Sequence, residues 1–128
     1  MTKKILVVDD EEIILEIVQA CLEDLVGWVI LVANSGWEAL HLATTEPLDA
    51  VLLDVSMPEM DGIEMLKRLQ HHPTTRQIPV ILLTAKVLAK EQTIFSQYKI
   101  AGLILKPFDP MSLHQQVASI LGWNIEPL

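Results

Sequence analysis

The chain has 128 residues, 51% of them hydrophobic, which suits one domain with its own core. Nine basic residues against 17 acidic ones give a net charge of −8, which repels a nucleic-acid backbone and argues against direct DNA or RNA binding. The single cysteine, Cys21, excludes an internal disulfide framework, and no apolar run reaches the length of a signal-peptide core or a membrane span, so the expected location is the cytoplasm.

Apolar runs alternate with helical periodicity along the chain. Residues 5–8 (ILVV) are apolar on both alternate faces and read as a buried strand. From Glu11 the period becomes helical, with Ile13, Ile14, Ile17, Val18, Cys21, Leu22 and Leu25 as the expected inward stripe and Gly27 as the stop. Cys21 on that stripe is expected to be inert. Trp28 to Ala33 reads as a second strand. Ser35 is the expected N-cap of a helix through about Thr45, with Ala39, Leu40 and Ala43 inward, and Pro47 follows it.

Residues 50–53 form a third strand, and Val55 to Asp61 a loop. Gly62 opens a helix carrying Ile63, Leu66 and Leu69, which stops at His71-His72-Pro73. Ile78 to Leu83 is the fourth strand. Val87 to Tyr98 is a weaker helical pattern with a polar middle, which predicts a loosely held helix. Residues 102–105 give a fifth strand. Asp109-Pro110 predicts the N-cap and first position of a last helix through Leu121, with Leu113, Val117, Ile120 and Leu121 inward. Gly122 ends it, leaving a short tail from Trp123 to Leu128. Trp28, Trp37 and Trp123 read as packing or partly exposed residues.

Five strands alternating with five helices predict an α/β fold with one doubly wound parallel sheet. Right-handed crossovers put the C-terminal ends of all strands on one rim, where such sheets bind ligands. Four of the five apolar runs end there on polar residues. They are Asp9-Asp10, Asp54, Thr84 and Lys106. Taken singly, each is an ordinary strand-end or cap residue. Together they would form a cluster of three carboxylates, a hydroxyl and an ammonium. Carboxylates with oxygen-rich neighbours suit Mg²⁺, whereas the four histidines, His41, His71, His72 and His114, show no zinc spacing with Cys21. A metal beside a carboxylate and a lysine is equipment for phosphoryl transfer, and a carboxylate can itself be the nucleophile.

These pieces also form a recognisable set. ILVVDDEE at 5–12, VLLDVSMPEMDG at 51–62, PVILLTA at 79–85 and KPF at 106–108 occur in the order and spacing of the response-regulator receiver domains of two-component signalling. The resemblance runs from Lys4 to Leu121. It implies a flavodoxin-like sheet of strand order 2-1-3-4-5. It implies that Asp54 is the phosphoacceptor, attacking phosphorus on a kinase phosphohistidine. Asp10 would be the direct acidic Mg²⁺ ligand, Asp9 its partner acting through water, and the main-chain carbonyl of Ser56 a third protein ligand beside Asp54. Thr84 and Lys106 would engage the phosphoryl group, and a cis bond is expected before Pro107. Ser56 and Lys86 stand where the family tunes dephosphorylation. The chain departs from the family at Leu103, where the switch aromatic of strand five would stand.

The resemblance further implies a phosphoacceptor that assists its own phosphorylation and dephosphorylation and is not otherwise an enzyme. The expected organisation is a stand-alone receiver over 1–122, a tail over 123–128 and no output domain. Expected partners are a histidine kinase and a downstream protein target, with no nucleic acid and no membrane. A homodimer through the fourth predicted helix, fifth strand and fifth helix is also open. Three alternatives stay open at this point. One is a relay intermediate passing phosphate to a histidine phosphotransfer protein. Another is a degenerate receiver acting unphosphorylated, which Leu103 keeps in play. The third is a small Mg²⁺ phosphohydrolase, which would carry a second acid where this chain has Ser56.

Overall fold

A computed structural model describes residues 2–55, 62–85 and 96–125. The elements run β1 (Lys4–Val8), α1 (Glu12–Val26), β2 (Val29–Ala33), α2 (Gly36–Thr45), β3 (Ala50–Asp54), α3 (Gly62–His71), β4 (Val80–Thr84), β5 (Gly102–Leu105) and α4 (Leu113–Leu121). All pairings are parallel and the sheet order is β2-β1-β3-β4-β5, as expected. The helix predicted over Val87 to Tyr98 lies, apart from its last three residues, outside the described residues. No helix among the described residues is long and apolar enough to cross a membrane.

Strand residues alternate between the two faces, so each face builds its own core. One core joins Leu6, Val8, Leu53 and Leu82 to Ala39 and Ala43 of α2 and Met65, Leu66 and Leu69 of α3. The other joins Val7, Leu52, Leu83 and Ile104 to Leu15, Val18 and Leu22 of α1 and Leu113 and Val117 of α4. β3 and β4 are buried along their whole length, which is why they read as unbroken apolar runs.

Local chemistry sets most element ends. The Ser35 side chain accepts a hydrogen bond from the Glu38 N–H, capping α2. Gly27 and Gly122 end α1 and α4 in the left-handed conformation, at φ 68° and 70°. The Thr75 hydroxyl donates to Leu69 O at 2.6 Å, satisfying a carbonyl near the end of α3.

Three expectations are corrected. The buried line of α1 is Leu15, Val18 and Leu22, while Ile13 and Ile17 are 72% and 44% exposed and Cys21 is only half-buried. The apolar arc of α1 is wider than the strip the sheet covers. β4 begins at Val80 and not at Ile78, because the Ile78 N–H bonds back to Thr75 O and Pro79 has no N–H. α4 begins at Leu113, after Ser112. The Asp109 carboxylate instead accepts from the Met111 N–H at 2.9 Å, closing a turn over the residues before the helix. The tail is docked in part: Trp123 and Ile125 pack on the α1–α4 core, and the Trp123 ring meets Trp28 edge to face at 5.4 Å.

Close approach of β5 to α4 depends on Gly102. A Cβ there would meet Ile120 Cγ2 at 2.8 Å. Gly102→Ala is expected to destabilise the fold by about 1–2 kcal/mol in urea unfolding, and adding Ile120→Ala should recover part of the loss. Equal stability of Gly102→Ala and the parent would contradict this packing.

Candidate functional site

Register brings the rim residues together. Val8 pairs with Leu53, so the next rung sets Asp9 beside Asp54. Thr84 pairs with Leu105, and the Lys106 N–H donates to Thr84 O at 2.7 Å, extending the β4–β5 ladder to the rim. Carboxylate oxygens of Asp9, Asp10 and Asp54 lie within 4.8 Å of one another. Asp9 and Asp54 are buried and Asp10 is exposed. The Lys106 ammonium is 2.7 Å from Asp9 Oδ2 and 3.6 Å from Asp54 Oδ1. Asp9 Oδ1 accepts the Glu11 N–H at 3.0 Å. The bond between Lys106 and Pro107 is cis.

Burial alone would push the Lys106 pKa down. The hydrogen bond to Asp9, with the charges of Asp54, Asp9 and Glu11, outweighs burial and holds it above the ordinary lysine value. Lys106 is therefore a fixed cation at neutral pH. Three carboxylates and one ammonium leave a formal charge of −2 in a pocket of oxygen donors. That donor set fits a hard divalent cation and not a thiolate- or imidazole-seeking one.

Of the expected site residues, the structure brings together Asp9, Asp10, Asp54 and Lys106 and places Thr84, 2% exposed, at the end of the adjoining strand. Ser56 and Lys86 lie outside the described residues. Core membership separates the rim residues by face. Asp9, Asp54 and Lys106 continue the alternation of Val7, Leu52 and Ile104, on the α1–α4 side. Thr84 continues that of Leu82, on the α2–α3 side, where Leu103 also packs. Leu82 and Leu103 are register partners, so Thr84 stands diagonally across from Leu103.

One feature beside the rim was not expected. An apolar cavity of about 320 Å³ opens where Ile14, Ile17 and Val18 of α1 face Lys106, Pro107, Phe108 and Pro110. Its sequence signal was the excess width of the α1 apolar stripe, which had been assigned to the core.

Residues 5–118 match the response regulator receiver domain family. The alkaline phosphatase synthesis transcriptional regulatory protein PhoP of Bacillus subtilis is 39% identical over 121 residues, covering 94% of this chain and 49% of PhoP. The chain spans about half the length of the first curated relatives it matches. Among solved structures, chemotaxis protein CheY4 of Vibrio cholerae superposes with a TM-score of 0.87 at 28% identity, over 94% of this chain and 99% of that one. The receiver domain of sensor histidine kinase PA1611 from Pseudomonas aeruginosa superposes with a TM-score of 0.83 at 25% identity, over 95% of this chain and 99% of that one, and holds a magnesium ion in its active-site cleft. By sequence match and by strand order alike, the chain belongs to the response regulator receiver domains of two-component signalling.

Proposed function

We propose that this receiver accepts a phosphoryl group on Asp54 from the phosphohistidine of a cytoplasmic histidine kinase, with Mg²⁺ bound, and signals through contact with a protein target. The observation that carries this reading is the Lys106 ammonium, which lies within 4.0 Å of both Asp9 and Asp54 in a cluster of three carboxylates.

In the transfer, an Asp54 carboxylate oxygen attacks phosphorus in line with the P–N bond. An O–P bond forms, the P–N bond breaks, and its electron pair returns to the imidazole nitrogen, which takes a proton from solvent. The product is an acyl phosphate. Asp9, Asp10, Asp54 and the Ser56 carbonyl would hold Mg²⁺, which supplies positive charge against the phosphoryl oxygens when bound. Lys106 neutralises one phosphoryl oxygen, and the Thr84 hydroxyl donates to another. Thr84 shares its face with Leu103, so its movement is felt first in the α2–α3 core. The signal then leaves by repacking of aliphatic side chains around Leu103.

A phosphodonor histidine carried on a protein must bring a surface to the rim. The cavity between α1 and Phe108 includes Lys106 and Pro107 in its lining, so a helix seated there is continuous with the site. Ile13 of α1 and Met111, next to Pro110 in sequence, are further exposed apolar residues.

Three measurements test this reading. With a small phosphodonor and Mg²⁺, the chain should gain one phosphoryl group by intact mass, and Asp54→Asn should gain none. Labelling that survives Asp54→Asn sinks the assignment. Lys106→Met removes the partner of fully buried Asp9, so without divalent cation it should lose about 3 kcal/mol of stability. Millimolar Mg²⁺ should restore more stability to Lys106→Met than to the parent, by linkage. Because the folded lysine pKa is raised, its contribution is complete at neutral pH. It stays complete up to the ordinary lysine value and is lost only as pH rises on through the raised one. Finally, Ile17→Glu with Phe108→Ala should slow transfer from a phosphorylated histidine kinase at least about tenfold while leaving labelling by acetyl phosphate unchanged. Equal slowing with both donors would remove the docking role.

A further inference from the structure

On the opposite side of the sheet from the α1 cavity, an open groove of about 470 Å³ runs between α2 and α3. On α2 it is lined by Trp37, Leu40, His41 and Thr44, spaced as one helical stripe. On α3 it is lined by Arg68 and His71, followed by His72 and Pro73. Trp37 is 55% exposed, and the Arg68 guanidinium lies 4.9 Å from its ring centre. Tryptophan and arginine are enriched among the residues that carry most of the binding energy at interfaces.

The lining of the groove is poorer in acidic groups than the chain as a whole. The protein carries −8, yet among the described residues the lining of this groove holds one guanidinium, three of the four histidines and no carboxylate. Glu38, next to Trp37, lines a different groove together with Glu12 and Glu16. Glu64 pairs with Arg68 at 3.2 Å, but both are exposed, and such an i,i+4 pair is worth only a few tenths of a kcal/mol. An incoming carboxylate can replace it.

The imidazoles add directional donors. His72 Nδ1 accepts the Thr74 N–H at 3.1 Å, so the neutral ring carries its proton on Nε2. That Nε2–H can donate to a carboxylate. His71 Nδ1 lies 2.7 Å from Lys67 O, which only accepts, so this ring is held with its proton on Nδ1.

We propose that the α2–α3 groove is a docking site for an acidic amphipathic segment of another protein. Its apolar side chains would cover Trp37 and Leu40, and its carboxylates would meet Arg68 and His72. The site is separate from the rim and does not require phosphorylation at Asp54.

The test is a titration of the ¹⁵N-labelled full chain with a synthetic peptide of about 12 residues, long enough to span a ten-residue helix. The peptide carries leucines at helical spacing and glutamates elsewhere, and a control replaces every glutamate by lysine. Shifts are expected at the Trp37 indole N–H and along α2 and α3, weakening with salt. Trp37→Ala, and separately Arg68→Glu, should each raise the dissociation constant at least tenfold. A Mg²⁺ titration of each variant checks that the fold and rim are intact. The proposal is overturned if the acidic peptide causes no shift at millimolar concentration, if the lysine peptide binds as well, or if Arg68→Glu binds unchanged. Sedimentation showing a parent dimer that Trp37→Ala dissociates would also overturn it, assigning the groove to a second copy of the chain.

Discussion

The ion pair between Lys106 and Asp9 joins residues 97 positions apart and ties the last strand of the sheet to the first. Asp9 is fully buried, and a buried carboxylate without a cation costs several kcal/mol. The Glu11 N–H satisfies one oxygen of Asp9 and Lys106 the other. This arrangement lets three carboxylates converge on one rim, with Lys106 offsetting part of their charge. It also keeps Lys106 charged and positioned 3.6 Å from Asp54. The rim is thus held ready by the same contact that makes it foldable.

Alternation of side chains across the sheet divides labour between its faces. Asp9, Asp54 and Lys106 share the parity of the α1–α4 core, so they and the apolar cavity beside Phe108 lie on one side. Thr84 and Leu103 share the parity of the α2–α3 core. A hydroxyl drawn toward the rim from that side leaves space behind it, and close-packed side chains respond to a vacated methylene-sized volume. In the proposed switch, Leu103 transmits by packing alone. It has no ring to turn and no polar tip to expose, so its signal is one of side-chain position and not of surface chemistry.

The two groove-like surfaces have different characters for the same reason. Next to the rim, an α1 stripe wider than the sheet can cover leaves Ile13 and Ile17 at the surface, a purely apolar face. Between α2 and α3, small residues, Ala39 and Ala43, sit inward and Trp37 and His41 are left outside. Basic and aromatic residues therefore gather along one seam of an acidic protein.

Much of this was legible in the sequence, because the signals are local. Unbroken apolar runs of four or five residues, too short for helices, read as strands buried on both faces, and their alternation with helical periods points to parallel crossovers. Strand polarity then puts Asp9, Asp10, Asp54, Thr84 and Lys106 on one rim whatever the details of packing. Ser35 and Gly27 announced their caps through chemistry within a few residues. Other features depended on partners remote in the chain. The rotation of α1 on the sheet decided that Leu15 is buried and Ile17 is not, and periodicity alone does not choose among adjacent apolar arcs. The Asp109 carboxylate accepts the Met111 N–H in the turn before α4, and the helix starts only at Leu113. Docking of Trp123 against Trp28 required a floor built from both ends of the chain. By itself the sequence determined the element types, their direction and the identity of the rim residues, since these follow from spacing along one chain. Only the tertiary structure decided which carboxylate Lys106 grips, which face carries Thr84 and Leu103, and which apolar residues remain for partners, since those follow from distances between segments far apart in the chain.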